Sequence, residues 1–181
     1  MKKYILVSAV LFSALGIKAQ VIIDKDETQN ISSPSVLVEF GSTNKGLLLP
    51  WVTDTSSVAD AVPGTIVYNI ADKKVKYLKA GLGAGWVDLS VDATGDVDAV
   101  LQNSLTDAAN AITIIGSNTT SAPGILVLES ATKAMVLPKV ADPHLNILYP
   151  EAGMMVYDTN KKLFAVYNGT VWSFWKPVND N

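Results

Sequence analysis

The sequence contains no cysteine and no arginine, and His144 is its single histidine. Without cysteine the chain forms neither a disulfide nor a thiolate metal site, and one histidine cannot build a histidine-rich metal centre. Without arginine it lacks the planar bidentate clamp that recognises phosphate. A net charge of -3 also disfavours nucleic-acid binding, which normally needs a basic surface. No motif identifies a reaction, so we expect no enzyme, no catalytic residue, no cofactor and no metal.

Residues 1–19 have the composition of a secretory signal peptide. Two lysines follow Met1, an almost unbroken apolar run spans positions 4 to 17, and polar sequence resumes at position 18. A charged start, a short apolar core and a small residue at the break are typical of such a peptide, and the run is short for a membrane span. We predict cleavage near Ala19, so that a secreted product, extracellular or on the outer cell surface, begins at Gln20. No later stretch is apolar enough for a transmembrane helix.

The chain matches itself at a spacing of 88 to 89 residues. Residues 42–52 and 130–140 share five of their eleven positions, and 63–69 corresponds to 151–158 in the same order. The identical pairs are Ser42/Ser130, Lys45/Lys133, Leu49/Leu137, Pro50/Pro138 and Val52/Val140, and Trp86 corresponds to Trp172. Self-similarity that persists over about 50 residues predicts a duplicated structural unit.

Each copy consists of short apolar and β-branched runs separated by turn signals. Pro50 and Pro138 should each end a strand or lie at an edge, because proline cannot donate a ladder hydrogen bond. Hairpin strands are predicted at 65–69 and 75–78, and again at 154–158 and 163–167, where Asn168-Gly169 favours a turn. We predict a mainly β fold with short helices (a β-rich α+β class). It consists of two tandem homologous modules, 20–90 and 111–176, and a tail at 177–181.

Short helices are predicted within and between the modules. Asp142 can cap a helix whose first turn contains Pro143, and Thr53 or Asp54 can cap its counterpart in the first module. Between the modules, residues 91–110 form a linker and a helix that begins at Asp96. One face of this helix is apolar and carries Val97, Val100, Leu101, Leu105 and Ala108. That face either docks on a neighbouring surface of the same chain or associates with helices of other chains.

Several motifs together resemble a known kind of module. They are the Ala-Gln end of the signal peptide, Lys-Gly-Leu-Leu-Leu-Pro at 45–50, Gly-x-x-Val-Tyr-Asn at 64–69, and the closing Trp86. This pattern is similar to modules of secreted Bacteroidota proteins that resemble parts of fibre-like surface proteins. The resemblance implies a surface location and a structural role. The second copy departs from the pattern at 134–136, and Trp51 and Lys139 stand where such modules often carry arginine.

Three features suggest binding sites but have simpler structural interpretations. The glycine-rich segment 81–85 is followed by a predicted strand, whereas a phosphate loop must open a helix, so we interpret it as a hairpin loop. Asp92, Asp96 and Asp98 lack the spacing and distal glutamate of a calcium loop and are interpreted as linker and cap residues. His144 is expected to be a surface side chain.

Aromatic residues at the module ends are candidates for two different roles. Trp86 and Trp172 occupy corresponding positions, so we expect each of them to close the core of its module. Trp175 has no counterpart in the first module. With Phe174 it is the candidate contact surface for a partner or ligand, because exposed aromatic rings provide a large contact area.

The small size of each module favours oligomerisation, because such modules bury a modest share of their surface and have no disulfide or metal to stabilise them. We predict a homo-oligomer, and the resemblance to fibre-like proteins implies a trimer. The favoured function is a non-enzymatic structural or adhesive cell-surface protein that acts through self-assembly or partner contacts. The alternative is a binding module for carbohydrate or protein that uses Trp175 and Phe174. A third hypothesis, a secreted hydrolase, requires His144 beside a carboxylate and a hydroxyl.

Overall fold

The computed structural model describes residues 20–23, 31–41, 44–100, 106, 108 and 111–176. The predicted signal peptide, most of the predicted helix at 96–110 and the tail at 177–181 lie outside these residues. The described chain is mainly β, as predicted, and its short parallel strands follow a β-solenoid arrangement. We call residues 20–90 the N-terminal region and residues 111–176 the C-terminal region.

The secondary structure of the described residues consists mainly of short strands and includes two short helices that lie wholly within these residues. In chain order the strands are β1 (Val21–Ile23), β2 (Val36–Phe40), β3 (Leu47–Leu48), β4 (Trp51–Val52), β5 (Ile66–Asn69), β6 (Lys74–Lys79), β7 (Gly85–Asp88), β8 (Thr113–Ile115), β9 (Leu126–Leu128), β10 (Ala134–Val136), β11 (Lys139–Val140), β12 (Met154–Asp158), β13 (Leu163–Tyr167) and β14 (Trp172–Trp175). A 3-10 helix covers Thr55–Ser57, and helix α1 covers Pro143–Asn146.

The order of strand pairings is the same in the two regions. In the N-terminal region, β1 and β2 are parallel, β4 and β5 are parallel, and β5, β6 and β7 form an antiparallel meander. In the C-terminal region, β8 and β9 are parallel, β11 and β12 are parallel, and β12, β13 and β14 form the meander.

Backbone details recur at corresponding positions. The carbonyl of Pro50 accepts the Tyr68 N–H at 3.0 Å, and the carbonyl of Pro138 accepts the Tyr157 N–H at 2.9 Å. Both meander turns also contain a lysine with left-handed backbone, Lys73 at φ 59° and Lys162 at φ 58°. The corresponding strands therefore begin and turn in the same way.

Strands of the two regions also pair with each other, so two of the sheets contain strands from both regions. Strand β10 of the C-terminal region pairs in parallel with β2, and β3 of the N-terminal region pairs antiparallel with β12. The larger hydrophobic core accordingly draws on both regions. Its buried residues are Leu49, Tyr68, Val75, Leu89, Ala152, Met155 and Val166. A second cluster, made of Val140, Ile147, Val156 and Ala165, lies within the C-terminal region.

Two predicted helix caps differ from the structure. Residues 94–99 have no regular secondary structure, and Asp96 Oδ1 accepts the N–H of Val97 at 3.1 Å, so Asp96 does not cap a helix there. Asp142 stands at the N-cap of α1, but its backbone is left-handed and its side chain makes no capping bond. The Asp142 carboxylate instead accepts a hydrogen bond from Asn160. Asp54 does cap the 3-10 helix, since its Oδ1 accepts the Ser56 N–H at 2.8 Å.

Candidate functional site

The two residues of the predicted contact surface, Phe174 and Trp175, are neighbours on β14. Successive side chains of a strand point to opposite faces of the sheet. Phe174 lies opposite Ala165, which belongs to the C-terminal cluster, whereas Trp175 lies opposite Phe164, which packs against the shared core. The predicted pair therefore does not form one aromatic platform.

Trp175 ties the last strand to the N-terminal region. Its indole Nε1 donates a hydrogen bond to the carbonyl of Leu89 at 2.6 Å. The residue is nevertheless 41% exposed. The N–H of this side chain is thus committed to the fold, while part of the ring remains accessible to a partner.

Phe174 packs among side chains of its own region. It covers the cluster of buried residues around Val156, and the Lys161 ammonium lies 4.2 Å from its ring centroid. The His144 ring meets it edge-on, with the ring centroids 6.0 Å apart. His144 Nδ1 lies 3.5 Å from the Lys161 Nζ. These neighbours of His144 are a lysine and an aromatic ring, not the carboxylate and hydroxyl that a hydrolytic triad requires.

Trp86 and Trp172 occupy corresponding positions in the two meanders. Trp86 lies opposite Leu78, and Trp172 lies opposite Tyr167. The Trp172 ring is tilted against that of Tyr167, with centroids 5.2 Å apart, and packs on the C-terminal cluster. Both tryptophans are half-buried.

A set of side-chain hydrogen bonds joins the C-terminal region to the N-terminal region and to residues 91–94 that follow it, and we call it the inter-region seam. Trp51 Nε1 donates to the Ala152 carbonyl at 2.6 Å, and the Tyr68 hydroxyl donates to the Asn168 carbonyl at 2.8 Å. The other bonds of the seam are Val91 N–H to Ser173 Oγ, Asn168 Nδ2 to Asp92 Oδ1, Thr170 Oγ1 to the Thr94 carbonyl, and Trp175 Nε1 to the Leu89 carbonyl. Sequence reasoning missed this seam, because no local pattern marks a donor whose acceptor lies far along the chain.

Tyr68 is fully buried, as are Asn168 and Ser173 of the seam. Burial, followed by the negative charge of Asp96, raises the pKa of Tyr68 to about 12. The hydroxyl therefore stays protonated near neutral pH and continues to donate to the Asn168 carbonyl. Tyr157, at the corresponding position of the C-terminal region, is 36% exposed.

Two glycines allow the backbones of the seam to approach closely. A Cβ added to Gly95 would clash with the carbonyl oxygens of Asn168 and Lys73. A Cβ added to Gly169 would clash with the backbone of Asp96, and Gly169 has a φ of +103°. Only glycine fits where the segment after β7 crosses the loop between β13 and β14.

The acidic residues considered as calcium ligands are used in local hydrogen bonds. Hydrogen bonds from the Thr94 hydroxyl and Thr94 N–H are the main causes that lower the pKa of Asp92. Asp98 Oδ1 accepts the N–H of Val100 at 3.0 Å. In the part of the chain that the structure describes, no group of three acidic or histidine side chains is arranged to hold a metal ion.

Large apolar side chains remain exposed in the C-terminal region. Around α1 they are Leu145, Leu148 and Tyr149, which is 93% exposed. On and beside β9 they are Ile125 and Leu126. Exposed apolar clusters of this kind mark contact surfaces more often than isolated exposed leucines do.

The C-terminal region is also the part of the chain with a recognisable family pattern. Residues 114–180 match the model of a family described as a phage tail like trimerisation region. The matched segment contains β9 to β14 and α1, and thus the exposed residues around α1. No curated protein and no solved structure matches the chain. Among the described residues, the structure contains no helix with the length and hydropathy needed to span a membrane.

Proposed function

We propose that the protein is a secreted, non-enzymatic structural protein that assembles as a fibre-like homotrimer through its C-terminal region. The observation that carries this proposal is the match of residues 114–180 to a trimerisation region. A β-solenoid arrangement of short parallel strands is a suitable building element for an elongated assembly.

The exposed surface of the matched segment supports the same proposal. Leu145, Leu148 and Tyr149 cluster around α1, where each has more than half of its surface exposed. The corresponding 3-10 helix of the N-terminal region, Thr55–Ser57, has small polar side chains instead. Trimer contacts would cover the apolar cluster and so remove it from water.

The proposal includes an origin of the two regions by duplication of one unit. The repeated sequence motifs support this origin, and so do the matching order of strand pairings and the matching backbone at Pro50 and Pro138. Export through the predicted signal peptide and adhesion at the cell surface remain parts of the proposal that rest on sequence patterns.

The decisive experiment is to measure the mass of residues 20–181 in solution by size-exclusion chromatography with light scattering. We expect a species of three chains that persists on dilution. The variant Leu148→Glu should weaken the trimer, because it places a charge in the apolar cluster. Leu82→Glu is the matched control, since Leu82 is 98% exposed in the loop after β6.

A stable monomer of the unmodified chain would contradict the proposal. A trimer that resists Leu148→Glu would exclude the surface around α1 from the contact. Export is tested separately by N-terminal sequencing of the secreted product, which should begin at Gln20.

A further inference from the structure

Two strand edges of the N-terminal region hold the C-terminal region in place. Strand β2 pairs in parallel with β10, with Val38 opposite Met135. Strand β3 pairs antiparallel with β12, with Leu47 opposite Met155. The contact between the regions therefore includes two backbone pairings in addition to the shared core and the seam, and a surface with the same two edges can repeat these pairings.

The C-terminal region presents those two edges again. In the sequence repeat, β9 corresponds to β2 and β10 corresponds to β3. Strand β9 has β8 on one side and β10 has β2 on one side, and the described strands provide no neighbour on the other side of either. Because the Glu129 N–H and the Ile125 carbonyl bond to β8, the N–H and carbonyl of Leu126 face the open side.

Strand β2 has a neighbour on both sides, whereas β9 has one neighbour among the described strands, and the burial of their side chains differs accordingly. Leu37 and Val38 in β2 are each 2% exposed. Their counterparts in the repeat, Ile125 and Leu126, are 61% and 44% exposed. Apolar side chains at an open strand edge favour pairing with another chain, so natural proteins normally cover or blunt such an edge.

The N-terminal region has the two complementary edges. Strand β3 pairs on one side with β12, and on the other side Leu48 is 48% exposed. In the C-terminal region, the Gly153 carbonyl and the backbone of Met155 bond to β3. In the N-terminal region, β4 pairs with β5 at Tyr68 and Asn69 on the corresponding edge. Earlier on that edge, the Gly64 carbonyl and the backbone of Ile66 have no partner within the described residues.

We propose that the C-terminal region of one chain docks on the N-terminal region of a second copy by repeating the pairings found within the chain. Strand β9 of one copy lies parallel to β3 of the next, with Val127 opposite Leu48. Strand β10 of the first copy lies antiparallel to β5 of the second, with Met135 opposite Ile66. This inference rests on the proposed homotrimer and specifies which edges form it.

The proposed contact is heterologous, because each copy contributes two different surfaces. A heterologous contact closes into a ring when the rotation between copies allows it and otherwise extends into a filament. In a closed trimer every open edge of β9, β10, β3 and β5 has a partner. The assembly would then leave none of these four edges open to unrelated chains.

A cysteine cross-link tests the register, because the native chain has no cysteine. Neighbouring strands lie about 4.8 Å apart, which is within the Cα separation that a disulfide tolerates. The variant Leu48→Cys with Val127→Cys should therefore form disulfides between chains under mild oxidation. Non-reducing electrophoresis should show products of two and three chains.

The control variant, Leu82→Cys with Val127→Cys, carries the same number of thiols, with one of them in the exposed loop after β6. We expect it to form at most a tenth of the cross-linked product. A second variant, Leu126→Lys, tests the edge without cysteines. It should lower the fraction of trimer at least tenfold at a fixed chain concentration, whereas Leu82→Lys should leave that fraction unchanged.

The outcomes separate this inference from the proposed function. A native trimer that cross-links through Leu48→Cys with Val127→Cys supports both. A native trimer in which this variant cross-links no better than the control overturns the edge pairing but leaves the trimer. A native monomer overturns the proposed function and the edge pairing with it.

Discussion

The meanders of the two regions have the same strand pairing, but one face is charged in the N-terminal meander and apolar in the C-terminal meander. In the N-terminal region, Lys76 of β6 lies opposite Asp88 of β7, and the two side chains form an ion pair at 2.7 Å. At the corresponding register in the C-terminal region, Ala165 of β13 lies opposite Phe174 of β14. One face is charged and partly exposed, and the other is covered by the chain around α1.

The difference shows that backbone pairing and surface chemistry are set separately. Asp88 bonds to both Lys74 and Lys76, and Lys76 also bonds to Asp72, so the charged face is satisfied without a covering element. The apolar face needs one, and Ile147 after α1 is buried against it. Changes at equivalent positions of the two faces should therefore have unequal effects.

The largest effect is expected from Ala165→Lys. Ala165 is fully buried beneath Phe174, so the new ammonium group would have neither solvent nor a partner. We expect a loss of about 3 to 5 kcal/mol in the free energy of unfolding, measured by urea denaturation at a fixed chain concentration. A loss below about 1 kcal/mol would show that this face is not a packed core.

The second-largest loss of stability is expected from Tyr68→Phe, and the tyrosine at the corresponding position, Tyr157, provides the control. Tyr68→Phe removes the hydroxyl that donates to the Asn168 carbonyl and leaves a buried acceptor unsatisfied. We expect a loss of about 1 to 2 kcal/mol in the free energy of unfolding. The matched control, Tyr157→Phe, changes a partly exposed ring and should stay within about 0.5 kcal/mol. Equal losses in the two variants would contradict the assigned role of the seam.

The two meander turns differ in whether the side chain that caps them can be ionised, so their stability should depend differently on pH. Asp158 caps its turn, whereas the N-terminal counterpart is the neutral Asn69, whose Oδ1 accepts the Ala71 N–H at 2.9 Å. Burial raises the pKa of Asp158, but hydrogen bonds from the N–H groups of Lys161, Asn160 and Asp142 outweigh it, so the pKa lies below the ordinary 3.8.

A pKa lowered by folding contributes stability above the ordinary value, and that stability is lost as the pH falls through the folded pKa. Asp158→Asn should therefore flatten the dependence of the unfolding free energy on pH in the range below about 5. Urea denaturation at a series of pH values measures this slope. Asp60→Asn, at an exposed turn, is the control for a change in net charge. An unchanged slope for Asp158→Asn would contradict the assignment.

The smallest effect is expected from Lys76→Ala on the charged face. Asp88 keeps Lys74 as a partner, and the network is partly exposed. We expect a loss of about 0.5 kcal/mol that decreases further at high salt. Thermal unfolding at low and high ionic strength measures it. A loss as large as that of Ala165→Lys would mean that the two faces do not differ as described.

The hairpins could be predicted from the sequence because their signals are local. The predicted strands at 154–158 and 163–167 match β12 and β13, and Asn168-Gly169 lies in the loop before β14. Alternating apolar residues and turn residues determine such elements within a few positions. Trp175 is partly exposed, and its role as a contact residue stays a prediction; its bond to Leu89 was not predictable.

The strand pairings between the two regions could not be predicted from the sequence, and the reason is physical. Strands β3 and β10 have corresponding sequences, yet β3 pairs antiparallel with β12 and β10 pairs in parallel with β2. Their partners differ because one copy precedes the other along the chain, and no local pattern contains that information. The opposite orientations of Phe174 and Trp175 could have been predicted from the alternation of a strand.

The late position of β10 and β12 in the chain has a consequence for folding. Both complete pairings that begin in the first fifty residues, which gives the protein a high contact order and therefore a slow folding reaction. While only the N-terminal region has been synthesised, the edges of β2 and β3 are open to aggregation. A chaperone that keeps the nascent chain extended until β12 has emerged would protect it during this interval.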